Sequence, residues 1–321
     1  MKVLVTGGCG FIGSHVVDYL LSLHHDVIVV DNFFSGRDHW QGKTIRPEIA
    51  NLDILDRVEL SDVFSRHKPA VVFHLAAHHY IPYCDANPAG AYDLNVVGTL
   101  NVLHESSKHG VERLFFASTA DVYAPSPRPH SEDDPVGPFT VYGRTKLIGE
   151  IICRGASDWG WQKHLLIGRL FNAVGTRETN PHLVPEVIGQ VARGVSELRL
   201  GNLFATRDFV DLSTQARAIV DATFATRGIE TVNIGSGVTV RISQMIDMIL
   251  AEVGRHIEVV VDPAKVRAAE RSNLCASTNR LRSLIGYAPE PASARTIREI
   301  LAEAKVGEVA QPAVAFPASK S

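Results

Sequence analysis

A chain of 321 residues with 45% hydrophobic and 21% charged content has room for one large α/β domain carrying a smaller lobe, and for a sizeable core. Its net charge of −3 offers no field to hold a polyanion, so nucleic acid is not an expected partner. No window approaches the roughly 20 apolar residues of a spanning helix, and the run Val3-Leu4-Val5 stops at Thr6-Gly7-Gly8, too soon for a signal peptide, so a cytoplasmic protein is expected.

In chain order, strand-like β-branched runs at 3–6, 26–30, 70–75 and 114–117 alternate with helical patterns at 11–23, 58–66 and 88–109. The run Val27-Ile28-Val29-Val30 is apolar throughout, as a strand buried on both faces should be. This alternation predicts α/β architecture, a doubly wound parallel sheet with helices on both sides. After Arg169 the units are broken by turn-rich stretches such as 175–181 and 201–203. The expected division is a dinucleotide-binding domain at 1–170 with some later segments returning to it, a smaller C-terminal α/β substrate lobe at 171–305, and a disordered tail at 306–321.

Glycines stand at 7, 10 and 13, with Gly8-x-Gly10-x-x-Gly13 nested among them between an apolar strand and an amphipathic helix. One permits a tight turn, one lets backbone N–H groups approach a pyrophosphate, and one lets helix pack closely on strand. Asp31 ends the second strand 18 residues after Gly13, near the spacing at which a carboxylate binds the adenosine ribose and repels a 2'-phosphate. NAD is therefore the expected cofactor. Gly7, Gly10, Phe11, Ile12 and Gly13 form its cradle, joined by Asp31 and Asn32. Asp53, with Ile54 beside it, either meets the adenine amino group or is a solvated turn carboxylate.

Thr119 closes the run 115–119, which reads as a strand delivering its hydroxyl to the crevice where open α/β sheets bind ligands. Tyr142 and Lys146 are four apart and share one helix face. Spacing alone would also suit a surface pair. The chemistry favours function, because a phenol is a poor base at neutral pH and a neighbouring ammonium lowers its pKa. Cys9, Cys84, Cys153 and Cys275 show no C-x-x-C spacing, so they are expected as apolar fillers with no zinc site or disulfide framework. His78 and His79 lack a third ligand at suitable spacing and are expected to touch sugar or cofactor, with no metal.

Together these residues resemble the extended short-chain dehydrogenase/reductase family, and within it the nucleotide-sugar epimerases and dehydratases, over roughly residues 1–300. The resemblance rests on the Thr-Gly-x-x-Gly-x-x-Gly turn, His74-Leu75-Ala76-Ala77, Asn95-Val96-Val97-Gly98-Thr99, Ser118-Thr119 before Val122-Tyr123, and Tyr142-x-x-x-Lys146. It implies a Rossmann-like fold with Tyr142 as base, Lys146 as its activator and a ribose ligand, and Thr119 bonding the sugar oxygen. It also implies Leu75, Ala76, Ala77, Ser118 and Phe171 along the cofactor, with Asn95 beneath it. His79, Asn172, Arg207 and Arg267 would meet a nucleotide-diphosphate sugar, with Glu270 near the nucleoside and Arg271 the alternative to Arg267 if the register shifts.

Epimerisation at C4 through a transient 4-keto sugar is the leading expectation. A 4,6-dehydratase of the family follows its threonine with Asp-Glu, whereas this chain has Ala120-Asp121; Asp121 is then either an acid or a loop-holding residue. A keto-sugar reductase is disfavoured by Asp31, and a non-catalytic NAD-binding regulator by the joint presence of Thr119, Tyr142 and Lys146. Ala124 and Thr176 depart from the family's glycine and proline. The family implies a homodimer built on the helices at 88–109 and 142–159.

Overall fold

The structure, a computed structural model, describes residues 1–159, 161, 163–266 and 271–304. Arg267, Glu270 and the expected tail at 306–321 lie outside those residues. Six strands come first: β1 (Lys2–Thr6), β2 (Asp26–Asp31), β3 (Glu48–Asn51), β4 (Val71–His74), β5 (Arg113–Thr119) and β6 (His164–Leu170). The short strands β7 (Asn172–Val174), β8 (Glu197–Leu200), β9 (Thr206–Arg207) and β10 (Phe209–Asp211) precede β11 (Ile229–Ile234). The main sheet has seven strands in the order β3-β2-β1-β4-β5-β6-β11. All its pairings are parallel. The order reverses between β1 and β4, the switch point where such sheets bind ligands beyond the strands' C-terminal ends.

Successive side chains of a strand point to opposite faces, and the strands here are apolar on both. Val3, Val5, Val27, Val29, Phe73 and Phe115 pack beneath α1 (Phe11–Ser22) and a later helix. Leu4, Ile28, Val30, Val72 and Phe116 pack on the other side against α2 (Arg57–His67) and two further helices. Each such fully buried side chain contributes about 1.5–3 kcal/mol. Local chemistry sets the helix ends: Asp56 accepts from Val58 and Glu59 N–H to start α2, and Lys68 closes it in the left-handed conformation.

The expected continuous helix at 88–109 is divided. After α3 (Ile81–Ala86) come α4 (Pro88–Tyr92), a wider π turn at Asp93–Gly98, and α5 (Thr99–Lys108). The wide turn contains Asn95, whose side chain accepts from His78 N–H at 2.8 Å and donates to His78 O at 2.8 Å and Thr145 Oγ1 at 2.9 Å. Such π turns often occur at functional sites. Next is α6 (Val141–Arg154), started by Thr140, whose hydroxyl accepts from Gly143 N–H.

Beyond β6 the chain builds a second core from α7 (Leu183–Ala192), α9 (Ile242–Val253) and α11 (Ala294–Glu303), with Val187, Leu198, Met245, Ile249 and Ile297 at its centre. Between α7 and α9, α8 (Leu212–Ala225) returns to the main sheet and packs against α1. Small strands β12 (Val240–Arg241), β13 (Glu258–Val261) and β14 (Asn273–Leu274) and the helix α10 (Asn279–Ile285) complete the described chain.

One polar clamp joins the segment after β7 to α1. Arg177, with φ +67°, donates to Asp18 Oδ2 at 2.7 Å and Ser14 O at 3.3 Å, while its own N–H reaches Glu303 at 2.6 Å.

Candidate active site

A cavity of about 1140 Å³ opens at the C-terminal ends of the central strands, larger than the usual small-molecule pocket. Every residue expected at the site lines it except Asn95, which lies beneath the lining, and Arg267 and Glu270, which are outside the described residues.

The glycine turn forms the cavity's first edge. Gly7 has φ +69°, and a Cβ there would stand 2.6 Å from Ala76 N. A Cβ on Gly13 would stand 2.0 Å from Gly7 O, so neither position tolerates a side chain. The first N–H groups of α1 have no intrahelical acceptors, and Gly10 brings no side chain to cap them. Asp31 crosses the same edge, accepting from Cys9 N–H at 2.9 Å and Phe33 N–H at 2.8 Å. Burial pushes its carboxyl pKa up while those two bonds hold it down. Asn32 donates to Asp53 at 2.8 Å, so these two polar groups act as a pair on the rim.

Thr119 leaves the end of β5 and Tyr142 the first turn of α6. Burial pushes the Tyr142 phenol above its ordinary value, as do the nearby Asp121 and Cys84, and the hydrogen bond with Thr119 opposes this. The sequence expectation was a phenol lowered by Lys146. Here burial is the largest influence and the phenol stands above its ordinary value, while Lys146 is itself pushed down to about 8 by burial. Lys146 makes no ion pair with a carboxylate among the described residues, and its Nζ lies 5.0 Å from the centre of the Phe116 ring.

A buried ionic cluster fixes α6 against the sheet. Glu150, one turn beyond Lys146, accepts from Arg169 Nε at 2.9 Å and Nη2 at 2.8 Å, and from Ser118 Oγ at 2.5 Å. Arg169 also donates to Glu132 O at 3.0 Å and covers the Tyr123 ring at 4.6 Å. Asp121, open between acid and loop holder from sequence, is engaged on both oxygens by Thr140 Oγ1 and Arg271 Nη1. Arg271 is therefore turned towards the turn at 120–123, 5% exposed. Arg207 faces the cavity and donates to Thr206 O at 2.9 Å and Arg271 O at 2.8 Å.

His78 packs as a ring, 4.6 Å from Phe34 and 4.9 Å from Tyr83. His79 bonds Asn180 at 3.0 Å, and burial pushes its pKa down to about 4, so it is a neutral hydrogen-bonding group near pH 7. Among the described residues no three His, Cys, Asp or Glu side chains are arranged to hold a metal ion. All four cysteines are buried and free. No helix among those residues is long and apolar enough to cross a membrane.

Sequence reasoning missed two walls of the cavity: Phe34, Ser35 and Gly36 after β2, and Glu178, Pro181, His182 and Leu183 leading into α7. The second carried a signal, since 175–181 was a visible break in the helical pattern, but a turn's composition does not say which way it folds.

A seven-stranded parallel sheet with this glycine turn at its switch point and a Thr/Tyr/Lys constellation beyond the end of β5 defines a Rossmann-type protein of the extended short-chain dehydrogenase/reductase class. The chain belongs to the NAD dependent epimerase/dehydratase family, whose model matches residues 3–235. It is 34% identical over 321 aligned residues to a UDP-glucose 4-epimerase of Corynebacterium glutamicum, covering 93% of this chain and 94% of the relative. Among solved structures it resembles the UDP-glucose 4-epimerase of Thermotoga maritima with UDP-glucose, at TM-score 0.86 and 28% identity, covering 94% of this chain and 98% of that one. It also resembles the Thermus thermophilus UDP-glucose 4-epimerase in complex with NAD, at TM-score 0.84 and 26% identity, covering 94% and 98%.

Proposed function

We propose that the chain interconverts C4 epimers of a nucleoside-diphosphate hexose, with UDP-hexoses the first candidates because its relatives are UDP-glucose 4-epimerases. The residues present fit NAD: the turn at Gly7 and Gly13 is too tight for any side chain, and Asp31 stands at the cavity edge where a ribose diol needs an acceptor. When bound, NAD would supply the hydride acceptor and donor for the sugar carbon, and its oxidised form would add positive charge to the site.

In this reading Tyr142 takes the proton of the C4 hydroxyl and later gives it back, with Thr119 holding the same oxygen. Lys146 supplies a fixed positive charge and a ribose contact. Asn172 and Arg207 hold the diphosphate end, where a planar guanidinium can bind two phosphate oxygens, and Arg267 is proposed as its second cation. The keto sugar must then turn its other face, which needs space and no further acid or base. The observation that carries the choice is Asp121, whose two carboxylate oxygens are engaged by Thr140 and Arg271. The carboxylate that stands where the family's dehydratases carry their acid is therefore committed to holding the turn, and this supports epimerisation.

We also infer a homodimer. Asp93, Val97, Leu100 and His104 recur at helical spacing on one exposed face, beside Arg144, Ile148 and Ile151 on α6. Val97, Leu100 and Ile151 are 44%, 39% and 60% exposed, an apolar stripe suited to a second copy.

The test is incubation with UDP-, GDP-, CDP- and dTDP-sugars, followed by NMR. Two C4 epimers at equilibrium are expected, and a 4-keto-6-deoxy product would move the assignment to dehydratase. Tyr142→Phe should lower turnover at least roughly 100-fold with NAD retained; unchanged turnover would remove Tyr142 from the mechanism.

A further inference from the structure

We propose that Arg271 is a positioning residue, locking the Asp121 turn so that Thr119 and Tyr142 stay in register with each other and with Arg207 at the diphosphate end. The inference deepens the epimerase reading and rests on it for the roles of Thr119 and Tyr142.

Thr119 ends a strand and Tyr142 starts a helix 23 residues later, so regular structure does not fix the distance between them. Asp121 does. Its N–H donates to Thr119 Oγ1 at 3.2 Å, and its carboxylate accepts from Thr140, the residue that caps α6 by accepting from Gly143 N–H at 2.9 Å. The turn and the helix are in close contact, because a Cβ on Gly143 would stand 2.8 Å from Asp121 O.

Arg271 closes this arrangement from the other side. Its guanidinium pairs with the Asp121 carboxylate and donates to Asp121 O at 2.9 Å and Tyr123 O at 2.5 Å. It also lies 4.5 Å from the centre of the Phe139 ring, just before the cap. A planar fork of several donors is what this geometry requires, and an ammonium would satisfy only part of it. The backbone carbonyl of the same residue accepts from Arg207 at 2.8 Å. One residue therefore spans from the diphosphate cation to the acid/base pair. Because the Arg207 contact is to backbone, replacing the Arg271 side chain leaves it in place, and the loss should fall on kcat and spare KM.

The charge pattern around Tyr142 gives a second readout. Around it stand Asp121 on the turn, Arg271 just before β14, Cys84 and Asp85 from α3, Lys146 on its own helix and His79 after β4. Removing the Asp121 charge leaves Arg271 to favour the phenolate. Removing the Arg271 charge leaves Asp121 to oppose it.

The experiment compares Asp121→Asn, Arg271→Met, Arg271→Lys and the double variant Asp121→Asn/Arg271→Met as NAD-loaded enzymes. Phenolate absorbance is followed against pH, with Tyr142→Phe subtracted, alongside turnover of a UDP-hexose. Asp121→Asn should show more phenolate at a given pH than wild type, Arg271→Met less, and the double variant should return towards wild type. Arg271→Met should lower kcat roughly 10- to 100-fold with KM within about two-fold, and Arg271→Lys should recover part of it. An unchanged phenolate signal in Asp121→Asn, shifts of the same sign in both single variants, or a rise in KM at constant kcat would overturn the proposal. Asp121→Asn keeps the shape of the turn, so the charge is tested even if Arg271→Met folds poorly. The titration needs no substrate, so a wrong substrate class would appear as inactive wild type with the shifts intact.

Discussion

Glu150 is fully buried and accepts from Arg169, Ser118 and Arg154, whose Nη2 lies at 2.8 Å. The Arg169 guanidinium is just as deeply held, 2% exposed. Replacing Glu150 with Ala leaves that charge without its counterion, which should cost about 3–5 kcal/mol, read as a shifted urea midpoint. A loss below about 1 kcal/mol would mean that water reaches the site. At this scale the sequence was readable where chemistry is local: Asp31 follows its strand at a telling distance from the glycines, and Tyr142 and Lys146 share a helix face. Glu150 gave no such sign, because its partner lies 19 residues away on another element and pairs with it only once helix and strand are packed. For the same reason Arg271 was read as a diphosphate ligand in waiting when its side chain is in fact committed to Asp121.

Helix α6 carries Tyr142 and Lys146, and its distance from the sheet is set by a glycine. A Cβ on Gly149 would stand 2.4 Å from Phe116 Cζ, and Phe116 is itself fully buried. Gly149→Ala gains about 1 kcal/mol of helix propensity. Pushing a large ring aside in a packed core costs about 1–3 kcal/mol. A net destabilisation with lower kcat is therefore expected, checked by denaturant melts and steady-state rates; a more stable, fully active variant would show that the ring can yield. Short apolar runs made the strands legible, since a strand buried on both faces has no polar positions, and helical periodicity did the same for most helices. The division at 88–109 was not. Pro88 can start a helix as readily as it interrupts one, and the wide turn at Asp93–Gly98 depends on Asn95 reaching His78 and Thr145, which are distant in sequence.

Across the molecule, burial lowers His15 and His79 to about 4 and His74 to about 3, from an ordinary value of 6.5. The unfolded chain takes up these protons near 6.5, and the folded chain only at lower pH. Stability from keeping them neutral is therefore complete above about 6.5 and is lost as pH falls towards the folded values. The thermal midpoint should fall between pH 7 and pH 5, and His74→Asn should flatten the decline; a midpoint independent of pH would contradict the burial of these rings. Sedimentation at micromolar concentration should show a dimer, and Ile151→Lys, on the exposed stripe, should move it towards monomer. The parallel sheet and its switch point were legible from alternation and glycine spacing together. The order in which late segments rejoin the sheet was not, because β11 has no local signature of its neighbour.

That seventh strand has a consequence for biosynthesis. β11 pairs with β6 from Ile229↔Leu165 to Ile234↔Leu170, so β6, an interior strand of the finished sheet, stays its exposed edge until residue 234 has left the ribosome. A fragment ending at Leu170 would expose six consecutive backbone positions of an apolar strand, the kind of edge along which chains aggregate. Expressed alone it should be insoluble, while a fragment that includes Ile234 should be protected. The intervening segment, with its turns and its Arg207, therefore has to be made before the nucleotide half of the protein can finish folding.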